Sequence, residues 1–155
     1  MLDKAVAYLH IGLSAVVASY FLWSGAGLDK YFIVYFCLLN ISWVLFNDEC
    51  LISYFHKIHV DDSYKMGANK SISDYDLVLG ERLSGQFVNL LLFMYLFNMF
   101  VILNRVDNKL PALAVILSYM MYIVLLRLNN STPVVKSVHL LVNAIVVMFL
   151  LYKRK

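Results

Sequence analysis

The sequence predicts an all-α integral membrane protein, a bundle of about five transmembrane helices with one polar loop of about 38 residues containing short helices. Three observations carry this expectation. Five apolar runs, at residues 5–26, 31–46, 87–103, 110–126 and 134–152, occupy most of the 155 residues, and four of them are almost free of charge. Each is long enough, or nearly so, to cross a hydrocarbon layer that takes roughly 20 helical residues. Hydrophobic residues make up 62 % and charged residues 15 %, against roughly 45–50 % and 25 % in soluble domains. The polar residues gather in one stretch, residues 47–84, with seven of the 10 acids and four of the 13 bases, for a net charge of −3.

The elements follow in order, within a single transmembrane helical domain covering residues 1–155. Ser24-Gly25-Ala26 has small residues where a signal peptidase would cut. The apolar stretch before it is longer than a signal-peptide core, so residues 5–26 read as the first membrane helix. Gly25, Gly27, Asp29 and Lys30 break the first run from the second. The turn is short, so these two helices are expected to be antiparallel neighbours. Beyond Phe46, Leu51, Ile52, Phe55 and Ile58 recur at helical spacing, which predicts an amphipathic continuation of the second helix to about Val60. Met66-Gly67-Ala68-Asn69 reads as a turn. Ser73-x-x-Asp76 reads as a helix start with acids suited to its dipole, and that helix is expected to run through Gly80 and Gly85 into the third span. Asn104 to Lys109 is a turn, with Pro111 in the first turn of the next helix. Thr132 is placed to cap the last helix, with Pro133 at its first position. Tyr8, Tyr20, Trp23, Tyr31, Trp43 and Tyr152 lie near run ends, where amphipathic rings favour the headgroup level.

The net charge of +3 is small, and its bases are dispersed except for Lys153-Arg154-Lys155, so nothing points to nucleic acid. That terminal cluster is expected among lipid headgroups, where each cation gains about 1 kcal/mol near an anionic surface. Lys and Arg divide seven against six between the two faces of a five-span topology, so the positive-inside rule sets no orientation; the terminal cluster alone favours a cytoplasmic C-terminus. On a continuous second helix, Cys37 and Cys50 would lie roughly 20 Å apart. A disulfide needs Cα atoms within about 7 Å, so no intramolecular bridge is expected.

No nucleophile-elbow, phosphate-loop, dinucleotide-binding or selectivity-filter motif is present, and no cofactor is expected. The chemistry-bearing candidates come from depth instead. His10 and His139 fall about five residues into the first and fifth helices, with Ser14 and Asn143 one turn deeper. The same face collects Asp48, Glu49, Cys50, Glu81, Arg82, Gln86 and Arg127. Two histidines there would suit metal or haem ligation or a proton relay; the plainer expectation is that each hydrogen-bonds a neighbouring helix. His56 and His59, with Glu49 and Cys50 nearby, have spacing compatible with a zinc site, against the plainer expectation of a solvated loop. Asp48 and Glu49 are expected to pair with Arg82 or Lys57. The intramembrane residues Asn40, Asn89, Asn98 and Asn143 are expected to join helices through hydrogen bonds worth roughly 1 kcal/mol.

The block from Trp43 to Lys57, with Asn47-Asp48-Glu49-Cys50 just after an apolar run, resembles small multi-pass membrane proteins of large eukaryotic DNA viruses. That resemblance covers about fifteen residues. It implies a component of a virion's internal membrane or its attachment to capsid proteins, in the virion or a host endomembrane, and it implies no site residues. The leading functional expectation is therefore a non-enzymatic structural or assembly protein. Its partners are the lipid bilayer and other proteins, reached through the 47–84 loop at Asp48, Glu49, Asp61, Asp62, Asp74 and Asp76 and through Lys153, Arg154 and Lys155. The alternatives are a small homo-oligomeric transporter or channel, suggested by Asn and His within spans, and a membrane enzyme or redox protein using His10 and His139.

Overall fold

A computed structural model describes residues 2–69, 72–128 and 132–152. The terminal cluster Lys153, Arg154 and Lys155 lies outside the described residues. Eight helices are described: α1 (Leu2–Ala18), α2 (Tyr20–Trp23), α3 (Ala26–Leu45), α4 (Leu51–Val60), α5 (Ser73–Leu79), α6 (Glu81–Arg105), α7 (Leu110–Arg127) and α8 (Pro133–Tyr152). Among the described residues, α3, α6, α7 and α8 are long and apolar enough to cross a membrane, with mean hydropathies of 1.4, 2.0, 1.9 and 2.2.

The first run differs from its expectation. It is not one helix over residues 5–26 but a 17-residue helix, α1, followed by a single turn, α2, with the break at Ser19. The cause is local. The Ser19 hydroxyl donates back to the Val16 carbonyl at 2.9 Å, and the Trp23 indole N–H donates to the same oxygen at 3.1 Å. Such side-chain bonds compete with the helical ladder and bend it. The break frees backbone groups that an apolar surrounding cannot hydrate. Asn98 of α6 takes them up: its amide donates to the Ala18 carbonyl at 2.8 Å, and its oxygen accepts the Phe21 N–H at 3.0 Å. Asn98→Leu is therefore expected to cost about 1–2 kcal/mol. An unchanged thermal midpoint in detergent would refute this role.

The other boundaries sit close to expectation, with three corrections. Gly27, Asp29 and Lys30, expected in the first turn, belong to α3, and the turn is only Ser24–Gly25. The second helix does not continue to Val60. It stops at Leu45, the chain reverses through Asn47 and Asp48 with φ of 53° and 71°, and α4 begins afresh after Cys50. The expected separation of Cys37 and Cys50 along one helix therefore does not apply, although both cysteines are free. Likewise α5 does not run into the third span: Gly80, at φ 77°, ends it and α6 starts at Glu81. Only glycine adopts that conformation without strain. The Met66–Asn69 turn is present, with Gly67 at φ 85°; a Cβ there would sit 1.9 Å from the Asn47 amide. Thr132 caps α8, accepting the Val135 N–H at 3.4 Å, and Pro111 opens α7.

Packing pairs α3 with α8, α7 with α8 and α6 with α7, while α1 lies against α5 and α6. The central contacts are aromatic and aliphatic, around Phe36, Tyr95, Met99, Ile102 and Tyr119. Phe36 and Tyr119 meet edge-on with centroids 4.9 Å apart. The outer faces stay apolar and exposed, as at Leu9, Phe93, Leu117 and Ile145, as a lipid-facing surface requires. The described residues of 47–84 form a folded platform of α4 and α5 at one end of this bundle. Its centre is Glu49, 1 % exposed: Tyr64 donates to its Oε1, the Gly67 N–H donates at 3.0 Å, and Lys57 Nζ lies 3.6 Å away.

Candidate functional site

Where the platform meets α1, three side chains from distant parts of the sequence converge. Asp74 enters from α5 and is fully buried. Its Oδ2 accepts a hydrogen bond from His10 Nδ1 of α1 at 2.6 Å, and its Oδ1 accepts the Ser53 hydroxyl of α4. The opposite ring nitrogen, His10 Nε2, faces Cys50 Sγ at 3.5 Å. Next to them, Ser14 and Tyr75 share a hydroxyl hydrogen bond of 2.6 Å, and the Tyr75 ring leans on His10 at 4.7 Å between centroids. The order thiol, imidazole, carboxylate is that of a nucleophile, its base and the group that orients the base.

The local sequence explains each position. The reversal at Asn47 and Asp48 places Cys50 as the N-cap of α4, with the first-turn N–H groups of Ile52 and Ser53 near its sulfur but no side-chain capping hydrogen bond. Burial pushes the Cys50 thiol up, but the His10 hydrogen bond, the His10 charge and those two N–H groups outweigh it, and the thiol titrates below its ordinary 9.0. Burial likewise pushes the Asp74 carboxyl up, and the hydrogen bonds from His10 and Ser53 bring it below the ordinary 3.8. The Asp74 contribution to stability is thus complete above that value and is lost only as pH falls further. In a maleimide titration, Cys50 is expected to react with a midpoint below pH 9.0, and His10→Gln is expected to move that midpoint up. A wild-type midpoint at or above the ordinary value would show that the thiol is not activated.

The site opens on a cavity of about 240 Å³ between α1, α3, α4 and α6, walled by Leu13, Leu39, Trp43, Val88, Leu91 and Leu92. Among the described residues no group of three or more His, Cys, Asp or Glu side chains is placed to hold a metal ion.

Other candidates lie elsewhere. His139, on α8, does not join His10: it accepts or shares a 2.6 Å bond with Ser118 of α7 and stacks on Tyr122 at 4.4 Å. The Asn143 amide donates to the His139 carbonyl at 2.7 Å, and Asn40 donates to Asn143 at 3.3 Å, tying α3 to α8. His56 shares a 3.2 Å hydrogen bond with Ser73, and His59, 70 % exposed, lies 4.0 Å from Asp3, so the two do not converge with Cys50. Of the expected partner contacts, Asp48 is engaged by Lys136 at 2.8 Å and by the Tyr122 hydroxyl rather than by Arg82, which is exposed. Glu49 and Asp74 are buried, and Asp76 accepts from Ser84. The oxygens of these four acids bond within the chain. Asp61 and Asp62 remain exposed, with Asp61 held by the Ser63 N–H at 2.9 Å.

Asp74 was not among the residues expected to carry chemistry. Its only sequence signal is an acid flanked by Ile72 and Tyr75 in an otherwise polar segment. Comparison with family models, with curated proteins and with solved structures gives no match for this chain.

Proposed function

We propose that this chain is a five-span membrane protein with a thiol acyl-transfer site, in which Cys50 is the nucleophile, His10 the base and Asp74 the residue that orients it. The observation that carries the reading is the Cys50–His10–Asp74 relay, buried beside an apolar cavity. A structural ion pair needs no thiol, and a structural cysteine needs no histidine backed by a buried carboxylate.

On this reading the Cys50 thiolate adds to the carbonyl carbon of an acyl ester or thioester and a C–S bond forms. The bond to the leaving alcohol or thiol breaks, and that group departs with the proton held on His10. Water or another hydroxyl, deprotonated by His10, then attacks the thioester and returns the thiolate.

Five crossings are supported by the contacts at each end of α1 and α2. Asp3 lies near His59 at the platform, while Tyr20 donates to Asp29 at 2.9 Å, close to Arg105 at the opposite end of the bundle. At roughly 1.5 Å per residue, α1 and α2 together approach the roughly 30 Å of a hydrocarbon core. An internal virion membrane or host endomembrane, suggested by the Trp43–Lys57 resemblance, is the proposed location.

The assembly reading is less favoured because the platform acids are spent on internal bonds. The channel reading is less favoured because Asn40, Asn143 and His139 are spent joining helices. The test is intact mass spectrometry of the detergent-purified protein after incubation with p-nitrophenyl butyrate. The expected result is one butyryl adduct, on Cys50, removed by neutral hydroxylamine. An unmodified Cys50 would overturn the proposal.

A further inference from the structure

We infer that the acyl group taken by Cys50 is an extended aliphatic chain, seated in the cavity between α1, α3 and α6. The inference rests on the acyl-transfer reading above and adds the substrate class.

The cavity's size and lining both point to a chain. At about 240 Å³ it falls below the roughly 300–1,000 Å³ of sites that enclose a whole small molecule. It suits one chain, with the rest of the donor left outside. Its walls are aliphatic on α1, α3 and α6, through Leu13, Leu39, Val88 and Leu91. Both serine hydroxyls that reach it already have partners. Ser14 bonds Tyr75, and Ser42 donates to the Leu39 carbonyl of its own helix. Among the described residues, the fully buried side-chain polar atoms left without a partner lie away from this cavity. An occupant therefore meets a mostly aliphatic wall along its body, with the ionisable chemistry gathered at the Cys50–His10 end. A polar substrate would lose hydrogen bonds on entry, whereas an aliphatic chain loses none.

The position of the cavity indicates how the chain enters. Three of its walls are apolar helices, and Leu13 and Leu51 at its rim are 56 % and 36 % exposed. A chain sliding from the hydrocarbon layer would reach the thiol without crossing water. Two donors share this chemistry, a membrane lipid ester and a soluble long-chain thioester.

The experiment measures the rate of Cys50 acylation by acetyl, butyryl, octanoyl and palmitoyl p-nitrophenyl esters in detergent. Each methylene that enters the cavity is expected to raise the rate about fourfold, at about 0.8 kcal/mol per buried methylene. If all six added methylenes enter, the rise from acetyl to octanoyl is expected to reach on the order of 10³-fold, followed by a plateau. Leu91→Trp narrows the cavity and should move the plateau to shorter chains; Leu91→Ala widens it and should move the plateau to longer ones. The opposite signs separate a seat for the chain from general damage. Equal rates for all chains in all three proteins would overturn the inference and leave the acyl-transfer reading standing. Absence of any adduct would overturn that reading itself. Protein in phosphatidylcholine vesicles, with and without palmitoyl-coenzyme A, distinguishes the donors: an adduct from vesicles alone identifies the lipid, and an adduct only with the thioester identifies the soluble carrier.

Discussion

Cys50→Ser is expected to lower acyl transfer by about 10³-fold or more, because a nucleophile and its base act as one unit and neither works alone. Serine preserves size and the N-cap position. The His10 ring that lies 3.5 Å from the thiol can hold a thiolate as an ion pair, whereas an alcohol stays protonated until the transition state. His10→Gln should lower the rate by about 10²–10⁴-fold, the usual weight of a positioned base. Asp74→Asn is more informative, since it keeps the shape of α5. An amide that keeps its oxygen on the Ser53 hydroxyl turns its NH2 towards Nδ1, and in either orientation it lacks the negative charge that supports a protonated His10 opposite the thiolate. The rate should fall, and the pH midpoint for Cys50 alkylation should rise with it. A purely structural role for Asp74 would alter the melting temperature and leave that midpoint in place. Cys50→Ser protein that still accumulates an adduct at wild-type rate would remove the site from consideration.

Glu49→Ala is expected to destabilise the platform by about 3 kcal/mol, the scale for breaking a buried pair from one side. The carboxylate is 1 % exposed, Lys57 is 7 % exposed, and the Tyr64 hydroxyl and Gly67 N–H converge on the same oxygen. Removing the acid leaves a buried ammonium without its counter-charge and the Gly67 N–H without its acceptor. The pair as a whole is a different matter, because two charges removed from water recover little net energy. Glu49→Leu combined with Lys57→Met should therefore be milder than Glu49→Ala alone, which a double-mutant cycle in detergent can read. Strict additivity would show that the two groups do not interact. Because Glu49 adjoins Cys50 in the chain, loosening it should also raise the alkylation midpoint, linking platform stability to thiol activation.

The membrane class, the positions of α3, α6, α7 and α8 and the Thr132 cap were legible in the sequence, since a hydrocarbon layer leaves few ways to satisfy a backbone and long apolar runs become helices. The breaks were not. Ser19, Phe46–Glu49 and Gly80 interrupt runs whose periodicity carries straight on. Each break is held by a bond made across the fold or by a backbone angle: Asn98 at the first, Lys136 on Asn47 and Asp48 at the second, and a left-handed glycine at the third.

The same division holds at the site. Depth along the helices singled out His10, and composition singled out the acids near Cys50, because ionisable groups beside a membrane are costly and stand out. His10 and His139 share a depth but not a site, because depth says nothing about which helices touch: α1 lies on α5 and α6, while α8 lies on α3 and α7. Cys50, His10 and Asp74 are 40 and 64 residues apart in sequence from the shared histidine. Apolar patterning by itself determined that this chain is a helical membrane protein. Only the tertiary structure decided that its polar loop folds back to bury a carboxylate against a histidine and a thiol, because that choice depends on contacts between segments that no local pattern records.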